Sequence, residues 1–306
     1  MIRLAGLALA ALALAPFARE ALRAPMSARA RRTAPGAFAT LPQGVTHYRW
    51  LGAETGPVAV CVHGLTTPSF VWESLAQGLG DMGFRVLVYD IYGRGYSDRP
   101  RGLQDSDFLT RQLSDLLHDQ NVTGDVTLLG YSMGGAVATA FAARHTDRLR
   151  QLVLIAPVGL GHDLGPASRL MADLGPLGTW AMLAVYGRSL RNSCEAERAL
   201  ASRVPDIADR QIAQLRYRGF LPAVLSSLRG ILNDPLEDSH RHIAAAGLPV
   251  LALWGSEDDI IPISGKALLS DYNPSAVHAV LEGAGHTLPF INDAAVMKAF
   301  QDHLAR

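Results

Sequence analysis

Short apolar runs alternate with helix-patterned segments along most of this chain, and that alternation limits what it can fold into more than any other feature. Residues 45–51 alternate in polarity like a half-buried strand. Residues 58–62 form a continuous apolar run of the kind shown by a strand buried on both faces. Residues 70–79 then carry Phe70, Val71, Leu75 and Leu79 at helical spacing, and Gly83 marks the loop that follows. The pattern repeats with a strand over 85–89, a helix over 108–117, a strand over 126–129, a helix over 133–144 and a strand over 152–156. Strands separated by helices imply a mostly parallel central sheet with helices on both faces, an α/β fold with right-handed crossovers.

The rhythm breaks between residues 157 and 247, where no run resembles a buried strand and the pattern is helical, with Trp180, Tyr186, Tyr217 and Phe220 as its aromatics. Strands resume over 249–254 and 276–281, and a last helix covers 293–304. A helical insertion between two strands of one sheet is expected to lie as a cap over the strand ends, where ligands of open parallel sheets bind. The expected organisation is an N-terminal segment over 1–37, a core over 38–157 and 247–306, and a helical cap over 158–246.

Of 306 residues, 28 are Lys or Arg and 28 are Asp or Glu, so no charge excess points to nucleic acid, and the expected partner is a small molecule. The two cysteines, Cys61 and Cys194, lie far apart in no metal-ligand spacing and read as unpaired; neither a metal nor an organic cofactor is expected. The run from Leu4 to Phe17 is short for a membrane span and resembles the apolar core of a signal peptide. Arg19, Arg23, Arg29, Arg31 and Arg32 after it would resist translocation. The segment is read as a signal or anchor, so export or membrane association is expected, with a frayed helix in a cytoplasmic protein as the alternative. The oligomeric state is left open.

Gly130-Tyr131-Ser132-Met133-Gly134 sits where a strand stops and a helix starts. Glycines flank the serine because such a turn is too tight for side chains to pass, and the turn strains the serine and exposes its hydroxyl. The next N–H stands at a helix N-terminus, where negative charge is stabilised. Ser132 is therefore a candidate nucleophile and the Met133 N–H a candidate oxyanion donor. The second Gly-Tyr-Ser triplet, at Gly95-Tyr96-Ser97, has no glycine two residues after its serine and reads as a loop.

A serine hydroxyl needs a base, in practice a histidine. Chains built on such an elbow order their partners serine, acid, histidine, which excludes His47, His63 and His118 among the ten histidines. His286 stands in the glycine-bounded loop after the last strand, at the same edge of the sheet as Ser132, and is the expected base. The acid is expected in Glu257-Asp258-Asp259, after the strand over 249–254. It would hold the imidazole tautomer and stabilise the imidazolium. Residue chemistry alone does not separate these three carboxylates. In the cap, Trp180 and Phe220, among other apolar side chains, are expected to line a substrate pocket with Tyr131 and Leu65.

His63-Gly64, Asp90-Ile91-Tyr92-Gly93-Arg94-Gly95-Tyr96-Ser97, the elbow, Gly255-Ser256-Glu257-Asp258 with Pro262, and Gly285-His286 together resemble the α/β-hydrolase superfamily, in particular its capped, lipase- and esterase-like branch. The likeness runs from about residue 45 to the C-terminus. It implies Asp258 as the acid, from its place three residues after a glycine and four before a proline, and Leu65 as the second oxyanion N–H, just after His-Gly. It implies hydrolysis of a carboxylic ester with an apolar acyl or alcohol part through an acyl-enzyme. Carbon–carbon bond hydrolysis, lactone hydrolysis on the same residues, and a slow-turnover binding protein of the same fold are the alternatives. Haloalkane dehalogenases and epoxide hydrolases use a carboxylate where Ser132 stands. Carbon–carbon hydrolases usually show a glycine-rich loop after His-Gly and a tryptophan after the histidine; here Leu65-Thr66-Thr67-Pro68 and Thr287 occupy those places.

Overall fold

A computed structural model describes residues 2–163 and 165–304. Its strands are β1 (Ala37–Leu41), β2 (Gly44–Gly52), β3 (Val58–Val62), β4 (Arg85–Tyr89), β5 (Val126–Tyr131), β6 (Leu149–Ile155), β7 (Val250–Gly255) and β8 (Val277–Leu281). They form one eight-stranded sheet in the order β1-β2-β4-β3-β5-β6-β7-β8. β1 and β2 run antiparallel at one edge, and the strands from β4 across to β8 are parallel. The purely apolar runs of the sequence are the central strands: every residue of β5 and of β7 is buried. β1 has no apolar run to announce it, and its pairing with β2, Phe38 opposite His47, is what makes it a strand.

The helices before the insertion are α1 (Ile2–Ala21), α2 (Ala28–Arg31), α3 (Glu73–Asp81), α4 (Ser106–Asp119) and α5 (Met133–Arg144). α5 is buried along nearly all of its length, which its small alanines allow, and it packs on β5 and β6. Between β6 and β7 lie α6 (Gly165–Asp173), α7 (Gly175–Ala181), a π-helical turn (Met182–Tyr186), α8 (Gly187–Glu197), α9 (Ile207–Ala213), α10 (Phe220–Arg229) and α11 (Glu237–Ala245). No strand occurs among the described residues of this stretch. α12 (Gly265–Tyr272), α13 (Leu288–Ile291) and α14 (Asp293–Leu304) complete the chain. The chain leaves β3 in one direction across the sheet to β4 and returns on the other side to β5, so the ends of β3 and β5 are neighbours, Val62 opposite Gly130. A reversal of this kind opens a crevice at the carboxyl ends of the two strands.

No helix among the described residues is long and apolar enough to cross a membrane. The residues at and after the end of α1 dock onto the rest of the chain. Glu20 Oε1 accepts the Gly219 N–H at 2.6 Å, Ala24 forms a parallel bridge with Tyr217, and Arg31 pairs with Asp98 at 2.5 Å. Cys61 and Cys194 are both free and buried.

Candidate active site

Ser132 leaves β5 at φ 54° and ψ −121°, a region L-residues rarely enter, and becomes the N-cap of α5 with no side-chain cap bond. Close packing makes the flanking glycines necessary. A Cβ on Gly130 would lie 2.4 Å from the Gly134 carbonyl oxygen, and one on Gly134 would lie 2.1 Å from the Val62 carbonyl oxygen. The turn is pinned to the neighbouring strand: the Ser132 N–H donates to Ile155 O at 3.0 Å, and Ser132 O accepts from Val158 N at 3.1 Å.

Two further strand ends meet the serine. His286, in the loop after β8, places Nε2 3.1 Å from Ser132 Oγ and Nδ1 2.8 Å from Asp258 Oδ2. Asp258, in the turn after β7, turns its other oxygen to the N–H groups of Ile260 at 2.9 Å and Ile261 at 2.8 Å. Its side chain is fully shielded from solvent, whereas that of His286 keeps 15% exposure. The structure thus brings Ser132, His286 and Asp258 into one line. The other two carboxylates, Glu257 and Asp259, are exposed.

Leu65, in the loop after β3, lines the same cavity as Ser132, and Met133 follows the serine at the start of α5. Among the described residues, no acceptor takes the backbone N–H of either. The Leu65 loop is held from behind by Arg94, whose Nε donates to Leu65 O at 3.0 Å and whose Nη2 donates to Ser227 Oγ of α10 at 2.8 Å. Arg94 is fully buried with no carboxylate partner among the described residues, and burial lowers its pKa to about 9. His63 supports the same loop: Nδ1 bonds Gly64 O and Nε2 accepts the Ile91 N–H, both at 2.8 Å. Burial lowers its pKa to about 4, which keeps the ring neutral. Gln211 of α9 adds a bond from Nε2 to Thr67 Oγ1 at 2.6 Å.

A cavity of about 450 Å³ opens above Ser132 and His286, bounded by the Leu65 loop and by the insertion. Tyr131 lines it, and its hydroxyl donates to the His286 carbonyl at 2.9 Å, so the residue before the nucleophile also ties down the histidine loop. Burial pushes the Tyr131 pKa well up, so the phenol stays protonated as a donor. Two expected lining residues require correction. Trp180, half-buried on α7, and Phe220, fully buried at the start of α10, do not line the cavity. Phe220, Leu221 and Val224 have no exposure and belong to the hydrophobic cluster that joins the insertion to the sheet, and apolar side chains at helical spacing serve such a core as readily as a ligand. The insertion lines the cavity with Tyr186, Leu190, Cys194, Glu197, Gln211 and Leu228 among others. Glu197 had no signal in the sequence, because it lies in the polar run Glu195-Ala196-Glu197-Arg198 and reads as part of a solvated helix face.

The profile of the alpha/beta hydrolase fold family matches residues 57–293. A pimeloyl-[acyl-carrier protein] methyl ester esterase of Aeromonas salmonicida is 29% identical over 245 residues, covering 78% of this chain and 91% of that protein. A putative 2-succinyl-6-hydroxy-2,4-cyclohexadiene-1-carboxylate synthase of Bacillus subtilis is 30% identical over 266 residues, covering 81% of this chain and 91% of that protein. Among solved structures, an enol-lactonase from Burkholderia xenovorans superposes with a TM-score of 0.68 at 22% identity, over 88% of this chain and all of that one. These relatives carry out different reactions on a common scaffold, and the match extends over most of the chain: it belongs to the alpha/beta hydrolase family.

Proposed function

We propose that this chain is a serine hydrolase that cleaves carboxylic esters through an acyl-enzyme. The observation that carries the reading is the continuous relay from Ser132 Oγ through His286 to Asp258, at 3.1 and 2.8 Å, on the floor of a cavity. His286 Nε2 takes the Ser132 proton as Oγ attacks the ester carbonyl. Asp258 accepts from Nδ1, which fixes the tautomer and stabilises the imidazolium that forms. The Leu65 and Met133 N–H groups hold the oxyanion. His286 then protonates the departing alkoxide, leaving alcohol and acyl-Ser132. Water attacks that ester with His286 again as base, and collapse releases the acid and restores the serine. In such sites one oxyanion donor contributes roughly 10² to 10³ in rate and the base roughly 10² to 10⁴. The helical insertion acts as the cap that supplies the acyl or alcohol pocket.

A lactone is a cyclic ester and passes through the same steps. Carbon–carbon hydrolysis is less well supported, since Leu65-Thr66-Thr67-Pro68 and Thr287 stand where that branch has its glycine-rich loop and tryptophan. The test is reaction with short and medium p-nitrophenyl esters, a lactone and a vinylogous diketone, together with labelling by a fluorophosphonate. Ester turnover and labelling that Ser132→Ala abolishes, with the melting temperature retained, are the expected results. Folded protein that neither turns over an ester nor takes the label would be a binding protein, and the reading would fall.

A further inference from the structure

Among the described residues, the charges that face the cavity are all of one sign apart from its histidines. Asp163, Glu197 and Asp259 line it, and no lysine or arginine is among its lining residues. These carboxylates are not equivalent. Asp163 is paired with Arg169 at 3.0 Å, and both are largely exposed. Asp259 stands exposed at the rim. Glu197, half-buried at the end of α8, has no hydrogen bond or ion pair to its carboxylate among the described residues. Its neighbours on the outer face of the helix satisfy one another: Arg198 binds Glu195 at 2.7 Å and Asp209 at 2.8 Å. The groups that Glu197 does interact with are the His286 ring, which favours its charge, and Asp259, which opposes it; burial outweighs both and raises its pKa. The buried cation behind the cavity wall, Arg94, gives four of its five N–H donors to Leu65, Tyr92, Gln104 and Ser227 and is not among the residues that line the cavity.

We propose that Glu197 is a specificity-determining residue that filters substrates by charge: the cavity accepts uncharged esters and esters bearing an ammonium group, and rejects those that bring a carboxylate or another anion into it. The inference rests on the ester-hydrolase reading and adds the substrate class. An anion in this cavity gives up its water, meets no lysine or arginine, and sits beside a carboxyl group that has no cationic side chain paired with it. Such like-charge placement discriminates more sharply than apolar fit, because it raises the cost of the wrong partner instead of adding contacts to the right one.

The test uses three p-nitrophenyl esters of matched length: the butyrate, the mono-ester of succinate, and the 4-trimethylammonio-butyrate. Rates are corrected for each ester's hydrolysis by hydroxide. The native protein is expected to turn over the succinate mono-ester with a kcat/KM about 10- to 100-fold below that of the butyrate, and the ammonium ester at least as well as the butyrate. Within Glu197→Gln the anionic-to-neutral ratio should rise about tenfold, and within Glu197→Arg it should invert. Glu195→Gln removes the same charge from the outer face of the helix and should leave the ratio at its native value. Equal turnover of succinate and butyrate esters by the native protein, or a ratio that Glu197→Gln does not move, overturns the filter. Binding of the three corresponding p-nitroanilides to the Ser132→Ala protein, followed by calorimetry, reads the filter without chemistry. Rejection of the succinyl anilide there, with no ester turned over by the native protein, would keep the filter and sink the hydrolase reading; equal binding of all three sinks the filter.

Discussion

His47–Asp90 and His286–Asp258, two histidine–aspartate pairs among the described residues, differ in what the outer nitrogen of the ring is given to do. His47 Nδ1 binds Asp90 at 2.7 Å, with both side chains 2% exposed. His286 Nδ1 binds Asp258 at 2.8 Å, with the ring reaching the cavity. In the first pair Nε2 of His47 bonds the Pro35 carbonyl, and Asp90 also receives N–H groups from Ser69 and Tyr96 at 2.9 Å. Every polar position is filled by backbone, so the pair ties the N-terminal segment and the loop after β4 to the sheet. In the second pair Nε2 faces a serine hydroxyl beside open volume. A carboxylate–imidazole contact is thus a structural fastening or a proton relay according to whether its far nitrogen has been closed by a carbonyl.

Their substitutions should separate accordingly. His286→Ala is expected to lower ester kcat by about 10⁴- to 10⁶-fold with little change in melting temperature. His47→Ala should lower the melting temperature while the folded fraction still turns over; a dead but fully folded His47→Ala protein would break the contrast. Asp258→Asn should cost roughly 10⁴ in kcat through the wrong tautomer, and Asp259→Asn no more than about threefold. Asp90→Asn leaves a buried imidazolium unpaired and should cost about 3–5 kcal/mol of stability by denaturant titration.

The pH dependence of stability sharpens the same contrast. Burial opposes the charge on His47, but Asp90 and the Pro35 carbonyl outweigh it and raise its pKa. Burial likewise opposes ionisation of Asp90, and the bond to His47 outweighs it and holds that carboxyl well below the usual range. The His47 share of stability is therefore full below about pH 6.5 and fades as pH rises through its folded value. The Asp90 share is full above about pH 3.9 and fades as pH falls through its own. A melting-temperature plateau between those limits is expected, and His47→Gln should remove its alkaline fall. The smallest effect is expected from Tyr131→Phe, which loses the hydrogen bond to the His286 carbonyl: about 1 kcal/mol, read as a fewfold drop in kcat with KM retained.

The sequence made some of this legible because the signal was local. An elbow needs its glycines within one turn, so Ser132 could be found from five residues, and His286 from a glycine-bounded loop after a strand. Asp258 was different: three adjacent carboxylates share the same chemistry, so only the family resemblance pointed to it in the sequence, and in the fold the turn after β7, with Ile260 and Ile261 donating to it, aims it at His286. The insertion was legible as helix and illegible as lining. Trp180 and Phe220 have the apolar character of pocket residues but do not line the cavity, and Glu197 has the polar character of a surface residue but faces it. Periodicity identifies which side of a helix is apolar, not what that side meets. The strand β1 and the docking of residues 20–31 depend on partners distant in the chain, which no short window contains.

The bond from Val158 to the Ser132 carbonyl has a mechanical meaning. Val158 is where the chain departs from the sheet to build the roof over the cavity, so the root of that roof is also a buttress of the nucleophile. A tilt that began there would pull on the backbone of the nucleophile itself, so the first residues of the insertion are held where the reactive turn must stay still.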